Sequence, residues 1–260
     1  MKKIKVTVWN EYYHEKSNEK IAAVYPKGIH GAIQEMLEKD EDGRFEIRVA
    51  TLDMEQHGLT EEVLADTDVL IWWGHMKHGD VSEEIVDKVV SRVHDGMGFI
   101  ALHSAHLCKP FKKLMGTICR LKWRENDEKE ILWVTDPTHP IANGLPECIQ
   151  IEQEETYGEC FQIPKPDSVV FTSWFAGGEV FRSGCCFTRG YGKIFYFRPG
   201  HEEYPTYYRD DIMQIIKNAI VWAKPADAPK CKLGHCSPLV EVQDKFAGME
   251  ESLRKHEYIK

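Results

Sequence analysis

The sequence predicts an α/β fold: a doubly wound, mostly parallel sheet with an antiparallel extension in its second half. Three observations predict it. Short apolar, β-branched runs alternate with amphipathic stretches from the N-terminus to Leu102, the cadence of parallel strands joined by helical crossovers. Beyond Lys122 strand-like runs follow one another without such stretches, ending in a hairpin, and that succession demands antiparallel pairing. At 260 residues, with 42% hydrophobic and 29% charged, the chain can bury a full core.

Taken in order, Lys3–Trp9 reads as a buried first strand. Asn10–Pro26 is polar and too long for a minimal turn. Ala32–Lys39 keeps helical spacing through Ile33, Met36 and Leu37. Phe45–Leu52 and Val69–Trp73 are the second and third strands. Ser82 is the N-cap of a helix with an acidic first turn and Ile85, Val89 and Val93 on one face; Asp95-Gly96 ends it. Gly98–Leu102 is the fourth strand. In the second half Lys122–Val134, Cys148–Gln153 and Val169–Trp174 read as strands. Ser183–Thr188 and Lys193–Arg198 pair across Arg189-Gly190-Tyr191-Gly192 as a hairpin. Tyr207–Ala223 is a long helix, and residues 225–260 form an appendage to a domain of residues 1–224, with Val240–His256 as an amphipathic helix.

The net charge of −9 argues for solubility and against nucleic acid as a partner, because phosphate binding needs a basic face. No apolar stretch has the length to span a bilayer and no signal-peptide pattern is present, so a cytoplasmic protein without membrane partners is expected. The eight cysteines are dispersed and read as reduced core thiols. Only Cys231-Lys232-Leu233-Gly234-His235-Cys236 is clustered; it reads as a metal-binding tail or as none, since the spacing fits no common zinc template.

In a doubly wound sheet the ligand crevice lies beyond the carboxyl ends of the strands. Four segments converge there. After the first strand come Asn10 and Glu11. After the third, Trp73 and Gly74 precede His75, and a terminal Trp suits sugar stacking as well as the core. The fourth strand turns abruptly into His103-Ser104-Ala105-His106, a nucleophile-elbow outline without the Gly-x-Ser-x-Gly form; Ser104 suits a helix cap better than a nucleophile. Pro199-Gly200-His201 breaks the last strand, with Glu202 or Glu203 as orienting acid for His201. Glu155 and Tyr157, two residues apart at the end of another strand, can add a carboxylate and a phenol.

Pooled, His75, His103, His106 and His201 are candidate ligands for a divalent metal, zinc being the best match; Glu11 and Glu155 are the nearby acids. The same set serves metal-free acid/base chemistry: His201 as general base, His103 as electrophile or ligand, Glu155 as ligand or second acid. Asn10, Glu11, Trp73, Tyr157, Glu202 and Glu203 are candidate substrate contacts. Walker and dinucleotide glycine motifs and HExxH are all absent, so no nucleotide cofactor is expected.

Val6-Thr7-Val8-Trp9-Asn10-Glu11, Trp72-Trp73-Gly74-His75, Ala101-Leu102-His103-Ser104-Ala105-His106 and Pro199-Gly200-His201-Glu202-Glu203-Tyr204-Pro205 together resemble the ThuA-like trehalose-utilisation family over residues 1–224. The resemblance implies the class I glutamine amidotransferase-like fold, a flavodoxin-like sheet with extra strands. It also implies a role in sugar catabolism on a trehalose-like or keto-disaccharide. Where the superfamily carries its elbow cysteine this chain has His103, with Cys108 five residues on, so glutaminase activity is not expected. The expectation is an enzyme of isomerase, lyase or hydrolase type, with a small-molecule sugar as partner and a homo-oligomeric assembly. The alternatives are a sugar-binding protein that kept the fold, and a hydrolase using Ser104 or Cys108.

Overall fold

The computed structural model describes residues 2–227 together with 234, 235 and 255. The chain divides into a unit Met1–Ala226 and a unit Asp227–Lys260, and every element named below belongs to the first. Apart from Lys255, the helix expected over Val240–His256 lies outside the described residues, as do Cys231 and Cys236.

Nine strands form one sheet. β1 (Ile4–Asn10), β2 (Phe45–Thr51), β3 (Val69–Trp73), β4 (Gly98–Leu102) and β9 (Gly192–Phe197) run parallel in the order β2-β1-β3-β4-β9. The sheet continues beyond β9 through β8 (Val180–Arg189), β7 (Ser168–Phe175), β5 (Lys122–Val134) and β6 (Cys148–Gly158), all antiparallel to their neighbours. β9 is the seam, parallel to β4 on one side and antiparallel to β8 on the other.

The alternation of side chains along each strand explains the two cores. Val69, Ile71 and Trp73 pack on the face covered by α3 (Gly28–Glu38) and α7 (Asp210–Ala223). Leu70 and Trp72 pack on the opposite face, under α5 (Glu83–His94) and α6 (Lys109–Met115). Full burial of each such side chain contributes roughly 1.5–3 kcal/mol. Gly98 opens β4 because α7 ends against it: a Cβ there would stand 2.6 Å from the Ala223 carbonyl oxygen.

The Ser82 cap forms as read, its hydroxyl accepting from the Ile85 N–H at 3.4 Å. Ser104 does not cap. The next helix, α6, is capped by Cys108, whose sulfur accepts from the Phe111 N–H. The polar stretch after β1 holds two short helices, α1 (His14–Ser17) and α2 (Glu19–Val24), the second capped by Asn18. A further short helix, α4 (Glu61–Ala65), precedes β3. β6 runs five residues past Gln153, because Glu154 and Glu155 are buried, the first against Arg198 and the second against His103. The Tyr207–Ala223 helix begins as a separate 3₁₀ turn, Thr206–Tyr208, before α7.

Candidate active site

Parallel pairing brings the carboxyl ends of β1, β3, β4 and β9 to one side of the sheet. β4 delivers His103 directly into a left-handed backbone conformation, φ +51°. That conformation costs a non-glycine residue about 1–2 kcal/mol, so surrounding contacts must hold it. They do: His103 is fully buried, its Nδ1 donates to the Arg198 carbonyl oxygen at 2.9 Å, and its ring stacks on Tyr157 at 5.2 Å.

Because Nδ1 donates to a backbone carbonyl, Nε2 is the ring nitrogen that His103 presents to the site. It stands 3.0 Å from Glu155 Oε2, without the alignment of a hydrogen bond. Both atoms are buried and have no other partner. A ring nitrogen of His201 completes a triangle in which all three donor atoms lie within 4.8 Å of one another. Burial opposes ionisation of Glu155, but contact with His103 and the nearby His201 and His75 outweigh it and hold the carboxyl below its usual range.

A second triangle adjoins the first. His75 Nδ1 lies 2.9 Å from Glu202 Oε1, and His14 Nε2 lies 3.6 Å from the same oxygen. The His14 and His75 rings stack at 5.0 Å. Burial lowers the His75 pKa, yet the Glu202 carboxylate more than compensates and the net shift is upward. Glu202 itself, despite burial, is held well below the usual carboxyl range by the His75 hydrogen bond and the neighbouring imidazoles. Its Oε2 approaches His201 Nε2 at 3.8 Å. The four histidines pooled from sequence are therefore divided: His103 and His201 join Glu155, His75 joins His14 and Glu202, and His106 joins neither.

Beneath these clusters lies a buried charge network. Arg198, fully buried, pairs with Glu130 and with Glu154, the latter at 3.2 Å, and donates to the Glu155 carbonyl at 2.9 Å. Glu154 also accepts from the Gly200 N–H and the Thr206 hydroxyl, both at 2.8 Å. The segment after β9 is thus fixed to β6, which carries Glu155.

The remaining sequence candidates sit around this frame. Glu11 binds the loop that carries His75, its carboxylate accepting from the N–H groups of His75, Met76 and Lys77 at 2.7, 2.8 and 2.9 Å. Asn10 donates to Glu15 at 2.6 Å and accepts from the Tyr12 N–H. Trp73 is fully buried, and its indole N–H donates to the Gly200 carbonyl at 3.1 Å. Glu203 is exposed; its backbone N–H, not its carboxylate, meets His201 Nδ1 at 3.3 Å. The Ser104 hydroxyl is buried without a partner. His106 donates from Nδ1 to the Cys119 carbonyl at 2.7 Å, and burial lowers its pKa to about 4, so it stays neutral at pH 7. Cys108, besides capping α6, is fully buried and its thiol is pushed far up by desolvation.

A cavity of about 450 Å³ opens beside the first triangle. His75, Ser104, His106, Glu155 and Tyr157 line it, and Trp123, 64% exposed on β5, stands at its wall with Arg120. Burial keeps the Tyr157 phenol protonated, a hydrogen-bond donor at neutral pH. Three contributors escaped sequence reading. His14 sits in a polar segment with no periodicity. The Arg198 network joins residues far apart in sequence, and Trp123 looks like an ordinary exposed strand aromatic. Only the Arg198-Pro199-Gly200-His201 break pointed toward any of them.

A family model described as ThuA, trehalose utilisation, matches residues 5–223. No curated protein matches the chain. Among solved structures, a ThuA-like protein from Parabacteroides merdae is similar with a TM-score of 0.66 at 15% identity, over 88% of this chain and 93% of that one. A cytoplasmic protein from Salmonella typhimurium gives 0.58 at 13% identity, over 86% and 100%. PurLQS from Thermotoga maritima gives 0.53 at 14% identity, over 85% and 99%. At such identities the likeness is one of fold.

Proposed function

The chain belongs to the ThuA family, and from that membership together with the site we propose an enzyme of carbohydrate metabolism performing cation-assisted carbonyl chemistry on a keto-sugar of disaccharide size. One observation carries the cation: two buried atoms, His103 Nε2 and Glu155 Oε2, face each other at 3.0 Å outside the alignment of a hydrogen bond, and a ring nitrogen of His201 converges on them. A carboxylate oxygen and a ring nitrogen buried so close together are held there by a shared positive centre.

His103, Glu155 and His201 are a nitrogen- and oxygen-donor set that fits zinc, and the Nδ1–H of His103 donating to a backbone carbonyl is the supporting contact metal-bound imidazoles use. A divalent ion, when bound, supplies Lewis acidity that polarises a sugar carbonyl and stabilises charge on its oxygen. The chain's own groups do the rest. Neutral His106 and the unpartnered Ser104 hydroxyl suit sugar hydroxyls, the Tyr157 phenol donates, and Trp123 offers a face for a sugar ring. The cavity volume falls within the range of small-ligand sites. The cysteine chemistry of the wider superfamily has no counterpart at the elbow, where His103 stands.

A cytoplasmic setting belongs to the same reading. One structural neighbour is described as a cytoplasmic protein, and no helix among the described residues is long and apolar enough to cross a membrane.

The test is solvent deuterium exchange at the carbon next to the carbonyl of an oxidised trehalose, monitored by NMR, on protein purified without chelator. Exchange that vanishes in His103→Asn and after chelation supports the reading. Absence of a stoichiometric divalent ion, together with undiminished exchange in His103→Asn, overturns it. Tight binding of the sugar without exchange would mark a binding protein instead.

A further inference from the structure

We propose that His14, His75 and Glu202 form a second divalent-cation site, abutting the one at His103, Glu155 and His201. The three donor atoms lie within 4.8 Å of one another. Donors held 2.0–2.2 Å from one ion stand about 2.8–3.6 Å apart at octahedral or tetrahedral angles. The observed separations from Glu202 Oε1, 2.9 Å to His75 Nδ1 and 3.6 Å to His14 Nε2, fall within that range.

The plainer alternative is an ion pair between His75 and Glu202 with His14 stacked alongside. It satisfies His75 Nδ1 and Glu202 Oε1 but leaves two buried polar atoms, His14 Nε2 and Glu202 Oε2, without hydrogen-bond partners. Glu202 is 3% exposed, so water does not reach it freely. A cation shared by the three side chains engages His14 Nε2 and brings the second carboxylate oxygen within reach of the same charge. The surroundings also fix the donors in place. Glu11 holds the loop of His75 through the N–H groups of His75, Met76 and Lys77, and His14 opens α1 three residues beyond Glu11.

The inference deepens the proposed function and rests on it only for its chemical purpose. A keto-sugar presents a carbonyl and a neighbouring hydroxyl, two adjacent oxygens. Two adjacent cations suit such a pair, each holding one oxygen. The ligand class is therefore an α-hydroxy-ketone rather than an isolated carbonyl.

The experiment is calorimetric titration of the full chain, stripped of metal by chelator and dialysed, with Zn(II) and separately with Co(II). The wild-type chain should take up one more equivalent than His14→Ala, and His103→Asn should lose a different equivalent, so that the double variant loses two. His14→Ala should keep the melting temperature of the metal-free chain; if it does not, Glu202→Gln replaces it in the same comparison. An unchanged stoichiometry and affinity in the His14 and Glu202 variants overturns the second site and leaves the first standing. Loss of no equivalent in His103→Asn, with loss of one in His14→Ala, overturns the first and keeps the second.

Discussion

His103 donates its Nδ1–H to the backbone carbonyl of Arg198, while the Arg198 guanidinium is clamped between Glu130 and Glu154. One residue thereby serves two ends: its main chain sets the tautomer of the central histidine, and its side chain ties β9 to β5 and β6. Burying two carboxylates on one guanidinium leaves an uncompensated negative charge, and burial accordingly raises the Glu130 pKa despite Arg198 opposite.

Arg198→Met removes the cation and strands both acids. Breaking a buried pair this way costs about 3–5 kcal/mol, and the loss should appear as a lower urea midpoint with an unchanged slope. A variant that also replaces Glu130 and Glu154 by Gln should recover part of it.

His103→Asn keeps a residue that tolerates the left-handed backbone, so the fold should survive with a loss of about 1–3 kcal/mol from the unpaired Arg198 carbonyl. Zinc affinity, measured by competition with a chromophoric chelator, should fall at least 100-fold, roughly the loss seen when even supporting contacts of metal sites are removed.

Glu11→Gln leaves one carbonyl oxygen where a carboxylate satisfied three N–H groups. Hydrogen bonds to charged groups contribute about 1.5–3 kcal/mol, and a loss of that order should accompany faster amide exchange at His75, Met76 and Lys77. Unchanged exchange there would show that the loop is held by something else.

Trp123→Ala changes an exposed side chain, so stability should shift by less than about 0.5 kcal/mol. Disaccharide affinity should drop about five- to tenfold, from loss of one ring-stacking contact.

His106 predicts an acid limit. Its folded pKa is lowered to about 4 from 6.5 by burial. Between these values the unfolded chain binds a proton that the folded chain does not, so stability falls as pH drops below about 6.5 and the contribution levels off near 4. Thermal melts of wild type and His106→Gln from pH 7.5 to 4.5 should diverge, with the shallower slope in the variant.

Much of the fold is legible in sequence because it rests on local patterns. The apolar runs of β1, β3 and β4 and the Ser82-capped α5 announce themselves through periodicity and capping chemistry. β6 is read too short because Glu154 looks like solvent-exposed polarity, whereas Arg198, met more than forty residues later, makes it interior. The candidate site is legible where chemistry sits at strand ends, as with His75, His103 and His201. It is opaque where a residue acts through a distant partner. Glu11 and Trp73 each look like ligand contacts in isolation, and only the folded chain shows one gripping three amides and the other holding the Gly200 carbonyl.

The seam at β9 separates two sources of side chains within one site. His75, His103 and His201 come from the ends of the parallel strands, whereas Glu155, Tyr157 and Trp123 come from the β5–β6 pair on the antiparallel side. The imidazoles of both triangles and the aromatic wall of the cavity thus belong to different parts of the sheet. Exchanging the β5–β6 ribbon between relatives, with Glu155 retained, offers a route to new sugar preference that leaves the histidine framework intact.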